Sequence, residues 1–207
     1  MGNSVLKISA IRCFQLITII FFLQSGKVFS QFPEILIPKD VIVQHAGSIG
    51  YFSVGAGYRL FKNKRGNLDF NYGFVPENKG GALHIISAKF VYRPFEIKLK
   101  DWAKFYPLNP GAFVSYHYGK EFDFYWDKSQ YDEGYYWWSS AIRPHISFSN
   151  EIKLDSKKLF GGGKIKSLSI YSEFNTNDLY MVSYVLNTKD LSLTDIFKLG
   201  IGIRAGF

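Results

Sequence analysis

Two-residue alternation of apolar and polar side chains recurs along this chain, and it restricts the fold more than any other feature. In KLGIGIRAGF (198–207), Leu199, Ile201, Ile203, Ala205 and Phe207 share one parity; Lys198, Gly200, Gly202, Arg204 and Gly206 share the other. Successive side chains of a β-strand point to opposite faces, so this is a strand between two unlike environments. The pattern returns in YFSVGAGYRLF (51–61), NLDFNYGF (67–74), HIISAKFVYR (84–93), GAFVSYHYG (111–119), WSSAIRPHISFSNEIKL (138–154) and KSLSIYSEFN (166–175). Val91 is an exception within its segment. EILIPKDVIVQHAG (34–47) supplies an eighth strand, with Pro38 at its edge or before its start. The alternative is one long first strand bent near Gly47. NDLYMVSYVLNTKD (177–190) has room for two turns of helix in a loop. The expected fold class is all-β and antiparallel.

Alternation alone does not separate a soluble sandwich from a membrane barrel, because both show it. The polar parity is informative here. It is crowded with Gly and Ser and carries isolated charges of both signs: Arg59, Asp69, Lys89, Arg143, Glu151, Glu173 and Arg204. Small residues with scattered opposite charges suit a narrow closed interior. The apolar parity carries Tyr58, Tyr92, Tyr118, Tyr136 and Trp138 near strand ends, as the aromatic girdles of membrane barrels do. Strands of about ten residues with alternating polarity, separated by turns, are the spanning-barrel pattern. An eight-stranded transmembrane β-barrel is therefore expected.

The amino-terminus reads as a cleaved secretory signal peptide over residues 1–30, leaving 31–207 as the barrel. Lys7 and Arg12 precede or open an apolar run from Cys13 to Leu23, which is too short for a spanning helix of about 20 residues. Val28 and Ser30 stand at the small-residue positions before a cut ahead of Gln31. The leader takes with it Lys7, Arg12, Lys27 and the sole cysteine, lowering the net charge from +8 to +5. That balance lacks the clustered basic stripe of a nucleic-acid binder. With an even strand count, 120–135 and 176–194 fall outside the cell, and 61–66 and 155–163 fall in the periplasm. Residues 98–110 then form a thirteen-residue periplasmic link, longer than such turns usually are.

The end of the chain resembles the carboxy-terminal strand signal of bacterial outer-membrane proteins. That resemblance implies that Ile201, Ile203 and Phe207 are read by the barrel-insertion machinery. QHAGSIGYFSVGAGY (44–58), YGFVPENKGGALHIISAKF (72–90) and TNDLYMVSY (176–184) resemble a family of small outer-membrane barrel proteins of Gram-negative bacteria. The resemblance implies the fold and a location among outer-membrane lipid and lipopolysaccharide. It carries no activity.

Three groups are candidate sites. His145 and Ser147 lie on one strand face, with Glu173 on the next strand, and small barrels that deacylate lipid A carry a similar His-x-Ser. HISFSN lacks the Asn that follows Ser in that motif, and its parity faces the interior rather than lipid. A hydrogen-bonded interior is the simpler reading. The seven interior charges could line a narrow channel, but eight strands leave an interior only wide enough for side chains to fill. EFDFYWDKSQYDEGYYWW (121–138) holds nine aromatic residues. Tyr135, Tyr136, Trp137 and Trp138 fit the outer girdle. Phe122, Phe124, Tyr125 and Trp126 either pack on the rim or bind a glycan, lipopolysaccharide or a partner protein. His84, on the lipid-facing parity near a membrane boundary, reads as an interfacial histidine; His45 and His117 have no neighbours at metal-binding spacing, so neither a metal nor a cofactor is expected. The expected role is structural, or binding through external loops around a plugged lumen.

Overall fold

Nine β-strands form among the described residues, eight of them on the expected segments and β5 outside them: β1 (Asp40–Ala46), β2 (Phe52–Leu60), β3 (Gly66–Val75), β4 (Leu83–Tyr92), β5 (Ile97–Lys100), β6 (Ala103–Tyr118), β7 (Ile142–Asp155), β8 (Ser167–Asn177) and β9 (Lys198–Gly206). They belong to a computed structural model that describes residues 37–79, 81–119, 139–161 and 163–207. All these elements lie in the unit Pro38–Phe207. The expected signal peptide, Tyr136, Trp138 and the loop aromatics Phe122, Phe124, Tyr125 and Trp126 lie outside the described residues.

Every pairing is antiparallel. Neighbours run β4-β3-β2-β1-β9-β8-β7-β6, and β4 also pairs with β6. That last ladder, from His84↔Tyr118 to Val91↔Gly111, closes an eight-stranded barrel. Closure pairs every barrel strand on both edges and removes the exposed edge that an open sheet leaves. The terminal strand β9 is held on one side by β1, from Asp40↔Gly206 to Ala46↔Gly200, and on the other by β8.

The first strand is β1, with Pro38 just ahead of it. Gly47 and Gly50, at φ +80° and +117°, turn the chain into β2, so the single bent strand does not form.

The thirteen-residue link expected over 98–110 is corrected by the structure. Most of it is strand. β5 folds back on the start of β6, and β6 runs for sixteen residues. A register shift between Tyr106 and Asn109 absorbs Pro107 and Leu108, with Leu108 at φ +48° and its N–H donated to Asn150 Oδ1 at 3.1 Å. Proline is tolerated at such bulges because the ladder is already interrupted there. A bulge also changes the phase of alternation, which hides the strand from a parity reading.

Connections sort to two ends. Both chain termini of the barrel, the β2–β3 turn, the β4–β6 link and the β7–β8 turn share a proximal end. The β7–β8 turn holds α1 (Ser156–Phe160), whose first N–H groups are capped by Asp155. The distal end carries the β1–β2 and β3–β4 turns, the chain between β6 and β7, and the β8–β9 connection. The last contains α2 (Asp178–Leu186), capped by Asn177, and α3 (Leu193–Ile196). The helix expected within 177–190 is α2.

The polarity is inverted relative to a water-soluble domain. Asp69, Asn109, Asn175 and Ser115 are completely buried, while Phe70, Ile86 and Ile203 are about half exposed at 48%, 56% and 48%. All eight barrel strands present exposed apolar side chains outward, including Val43, Val54, Phe70, Ile86, Val114, Ile146, Ile170 and Ile203.

Candidate functional site: the barrel interior

The interior is built from the parity that carries Gly, Ser and charge. Asp40 on β1 accepts from Arg59 on β2, the closest contact being 2.6 Å. Arg204 on β9 reaches across to β3 and donates both terminal nitrogens to the two oxygens of Asp69, at 2.9 and 2.6 Å. This fork-to-fork geometry is the strong form of the Arg–carboxylate pair. Arg204 also lies 3.7 Å from Asp40, joining the two pairs. Arg93 donates to Glu151 on β7 at 2.6 Å and to Asn67 at 2.6 Å. Lys89 meets Glu173 at 2.8 Å, and Tyr171 donates to Gln44 at 2.8 Å. Nearer the distal end, Arg143 pairs with Asp178 at 3.1 Å.

All seven charges singled out from the sequence point inward. Further charged groups join them, among them Asp40, Arg93, Lys153 and Asp178. Asp40 lies in the segment of poorest alternation. Arg93 and Lys153 share the parity of Lys89 and Glu151, which is the signal that could have found them. Asp178 lies one residue beyond β8, where a strand pattern has ended.

Interior glycines leave the volume that these long side chains occupy. A Cβ on Gly57 would stand 2.8 Å from both the Arg204 guanidinium and the Asp69 carboxylate. One on Gly202 would enter the Tyr171 ring, and one on Gly206 would meet Arg59. At the distal end the β1–β2 turn folds inward. Ile49 is 1% exposed, its carbonyl occupies the space over Gly73, and Ser48 N–H donates to Asn175 Oδ1 at 3.1 Å.

His145 and Ser147 are both buried on the inner wall. The His145 ring stacks on Phe113 at 4.1 Å between centroids, and its Nε2 bonds the Ser115 hydroxyl at 2.8 Å. Ser115 also bonds His117 at 3.1 Å. Glu173 is held by Lys89 and Asn175. The structure therefore does not assemble His145, Ser147 and Glu173 into a relay: Ser147 Oγ has no hydrogen-bond partner, and the carboxylate is turned to a lysine. His84 lies on the outer wall beside Tyr72 and Phe74. Ile201 and Ile203 also face outward on β9, and Phe207 follows it.

No family model and no curated protein matches this chain. A solved chain described as "De novo design of transmembrane beta-barrels" is similar to it at 13% identity. The match covers 82% of this chain and 92% of that one, with a TM-score of 0.37.

Proposed function

We propose that the chain is an integral outer-membrane barrel of a Gram-negative bacterium with a plugged polar lumen, acting structurally or by binding through its distal loops. One observation carries this reading: on all eight strands the apolar parity is exposed and the charged parity is buried. In water that arrangement leaves far more contiguous apolar surface than the few hundred Å² usual for a soluble monomer. Against hydrocarbon it satisfies both walls, because a closed barrel leaves no strand edge unpaired. Two aromatic rims add support. Tyr58, Phe61, Phe90 and Tyr92 cluster toward the proximal end, with edge-to-face contacts of 5.9–6.3 Å that also involve Phe70. Phe52, Tyr72, Phe74 and Tyr118 stand toward the distal end.

The ion pairs, the filled glycine spaces and the inturned Ile49 support a plug rather than a pore. Planar-bilayer recordings are expected to show no unitary conductance. Ser147→Ala is expected to leave lipid A unchanged in cells carrying the protein. In this reading residues 1–30 are a leader cut before Gln31, the insertion machinery reads the end of β9, and lipopolysaccharide surrounds the distal rim. Phe122, Phe124, Tyr125 and Trp126 supply the external binding surface. Replacing all four by Ala should abolish retention on immobilised lipopolysaccharide or glycan while leaving the barrel folded.

The deciding experiment is fractionation with gel analysis. The mature chain is expected in the outer-membrane fraction, with a band that shifts on boiling because a closed barrel resists detergent. A soluble periplasmic pool without a heat-shifted band overturns the reading.

A further inference from the structure

Among the described residues the charges of the inner wall do not balance, and the remainder is localised. Each of the five inward acids among the described residues has a cation within ion-pair distance: Asp40 with Arg59, Asp69 with Arg204, Glu151 with Arg93, Glu173 with Lys89 and Asp178 with Arg143. Lys104 on β6 and Lys153 on β7 also share this face, as cross-strand partners; Lys153 is half-buried near the proximal end of β7, and among the described residues no hydrogen-bond acceptor holds its ammonium. Like charges directly opposite each other destabilise a strand pair unless something of opposite sign lies between them. Lys104 is drawn aside to Glu96 at 2.7 Å, which leaves Lys153 facing open space.

That space is a cleft of about 270 Å³ at the proximal mouth. Arg59, Lys104, Lys153 and Lys166 line it together with Ser167, Trp102, Asp101 and Asp155. Asp155 is committed to the N-terminus of α1. The cations arrive from β2, β6, β7 and the β7–β8 turn, so they surround the cleft rather than forming a flat patch. Cationic side chains converging from several directions suit a compact oxyanion with several equivalent oxygens, and lysine serves such groups as a point charge.

We propose that this cleft binds a phosphate group, with Lys153 as its central cation. Two sources share that chemistry: the headgroup of an anionic phospholipid and free phosphate. The surroundings favour the headgroup. Exposed Phe95, Ile97, Leu99 and Trp102 stand beside the cleft on the β5 hairpin, alternating with exposed Lys98 and Lys100. Apolar residues interleaved with lysines fit the level where acyl chains give way to anionic headgroups. The headgroup source rests on the membrane reading above; the phosphate site does not.

Inorganic phosphate is titrated calorimetrically into the full mature chain, folded in maltoside detergent at low salt. Wild type and Lys153→Arg should bind. Lys153→Gln should bind at least about tenfold more weakly, as expected for loss of one charge-assisted contact. Lys62→Gln, which does not line the cleft, should match wild type. In parallel, each protein is reconstituted with mixed phosphatidylglycerol and phosphatidylcholine, extracted, and weighed by native mass spectrometry. Retained phosphatidylglycerol that is lost in Lys153→Gln identifies the headgroup as the source. Phosphate binding without retained lipid identifies free phosphate. Absence of both, or binding that does not respond to Lys153→Gln, overturns the site. Heat-shifted migration of every variant shows that it is folded, so a failed membrane reading and a failed site give different results.

Discussion

The inner and outer walls of this barrel are made by the same strands, one residue apart, yet they are held in unlike ways. The outer wall is a surface of interchangeable parts: Ile201, Ile203, Ile170 and Val43 each contribute apolar area, and a similar residue would serve. The inner wall is a set of assigned pairs. Arg204 is matched to Asp69 in a two-bond fork, and Arg93 to Glu151 and Asn67. Area is additive and tolerant, whereas a buried charge depends on one particular partner. Removing that partner leaves the desolvation cost without the attraction that offset it.

That contrast should show most strongly at Asp69. Asp69→Ala leaves Arg204 only its longer contact with Asp40, at 3.7 Å, and urea unfolding of the reconstituted barrel should reveal a loss of about 3–5 kcal/mol. The double variant with Arg204→Ala should lose less than the sum of the two single changes, because no charge is then left unmatched. On the outer wall, Ile203→Arg should cost about 2–4 kcal/mol if that residue lies near the membrane midplane. Ile203→Val should stay within about 1.5 kcal/mol. Equal tolerance of arginine on both parities would mean that water bathes both walls, and the comparison would collapse.

A smaller effect is expected where the inner wall is filled rather than charged. Gly202→Ser places a side chain into the Tyr171 ring and should cost about 1–3 kcal/mol by overpacking. Gly202→Ser combined with Tyr171→Phe tests whether the ring or its hydroxyl is the obstacle. A still smaller effect belongs to Glu96, which lies in the link between β4 and β5. Its bond from Lys104 holds the carboxyl below the ordinary glutamate value of 4.5. The pair therefore contributes stability above that pH and loses it as pH falls through the lower folded value. Glu96→Gln should remove this dependence at a cost of about 0–1 kcal/mol. If the end of β9 is read during insertion as proposed, deleting Phe207 should lower the assembled fraction while leaving the urea midpoint nearly unchanged.

Local regularity decides what could be read in advance. Seven strands announce themselves by parity, and seven interior charges follow because a strand face is a property of nearest neighbours. β5 and the first half of β6 were hidden, since a bulge with Pro107 and Leu108 shifts the phase midway. Lys153 shares the parity of Glu151, but its importance lies in what it lacks. Lack of a partner becomes visible only when the other inward charges among the described residues have been matched.

The amino-acid sequence by itself determined which side chains share a wall on seven strands, that the chain is all-β, and that 177–190 has room for two turns of helix. Those outcomes depend on a period of two or on residues a few places apart. Only the tertiary structure decided that β1 closes on β9, that the 47–51 turn folds into the lumen, and that Arg204 meets Asp69 from 135 residues away. Which acid faces which cation depends on the stagger of eight strands around a closed ring. No segment of the chain carries that stagger alone; it exists only once β4 and β6 have joined.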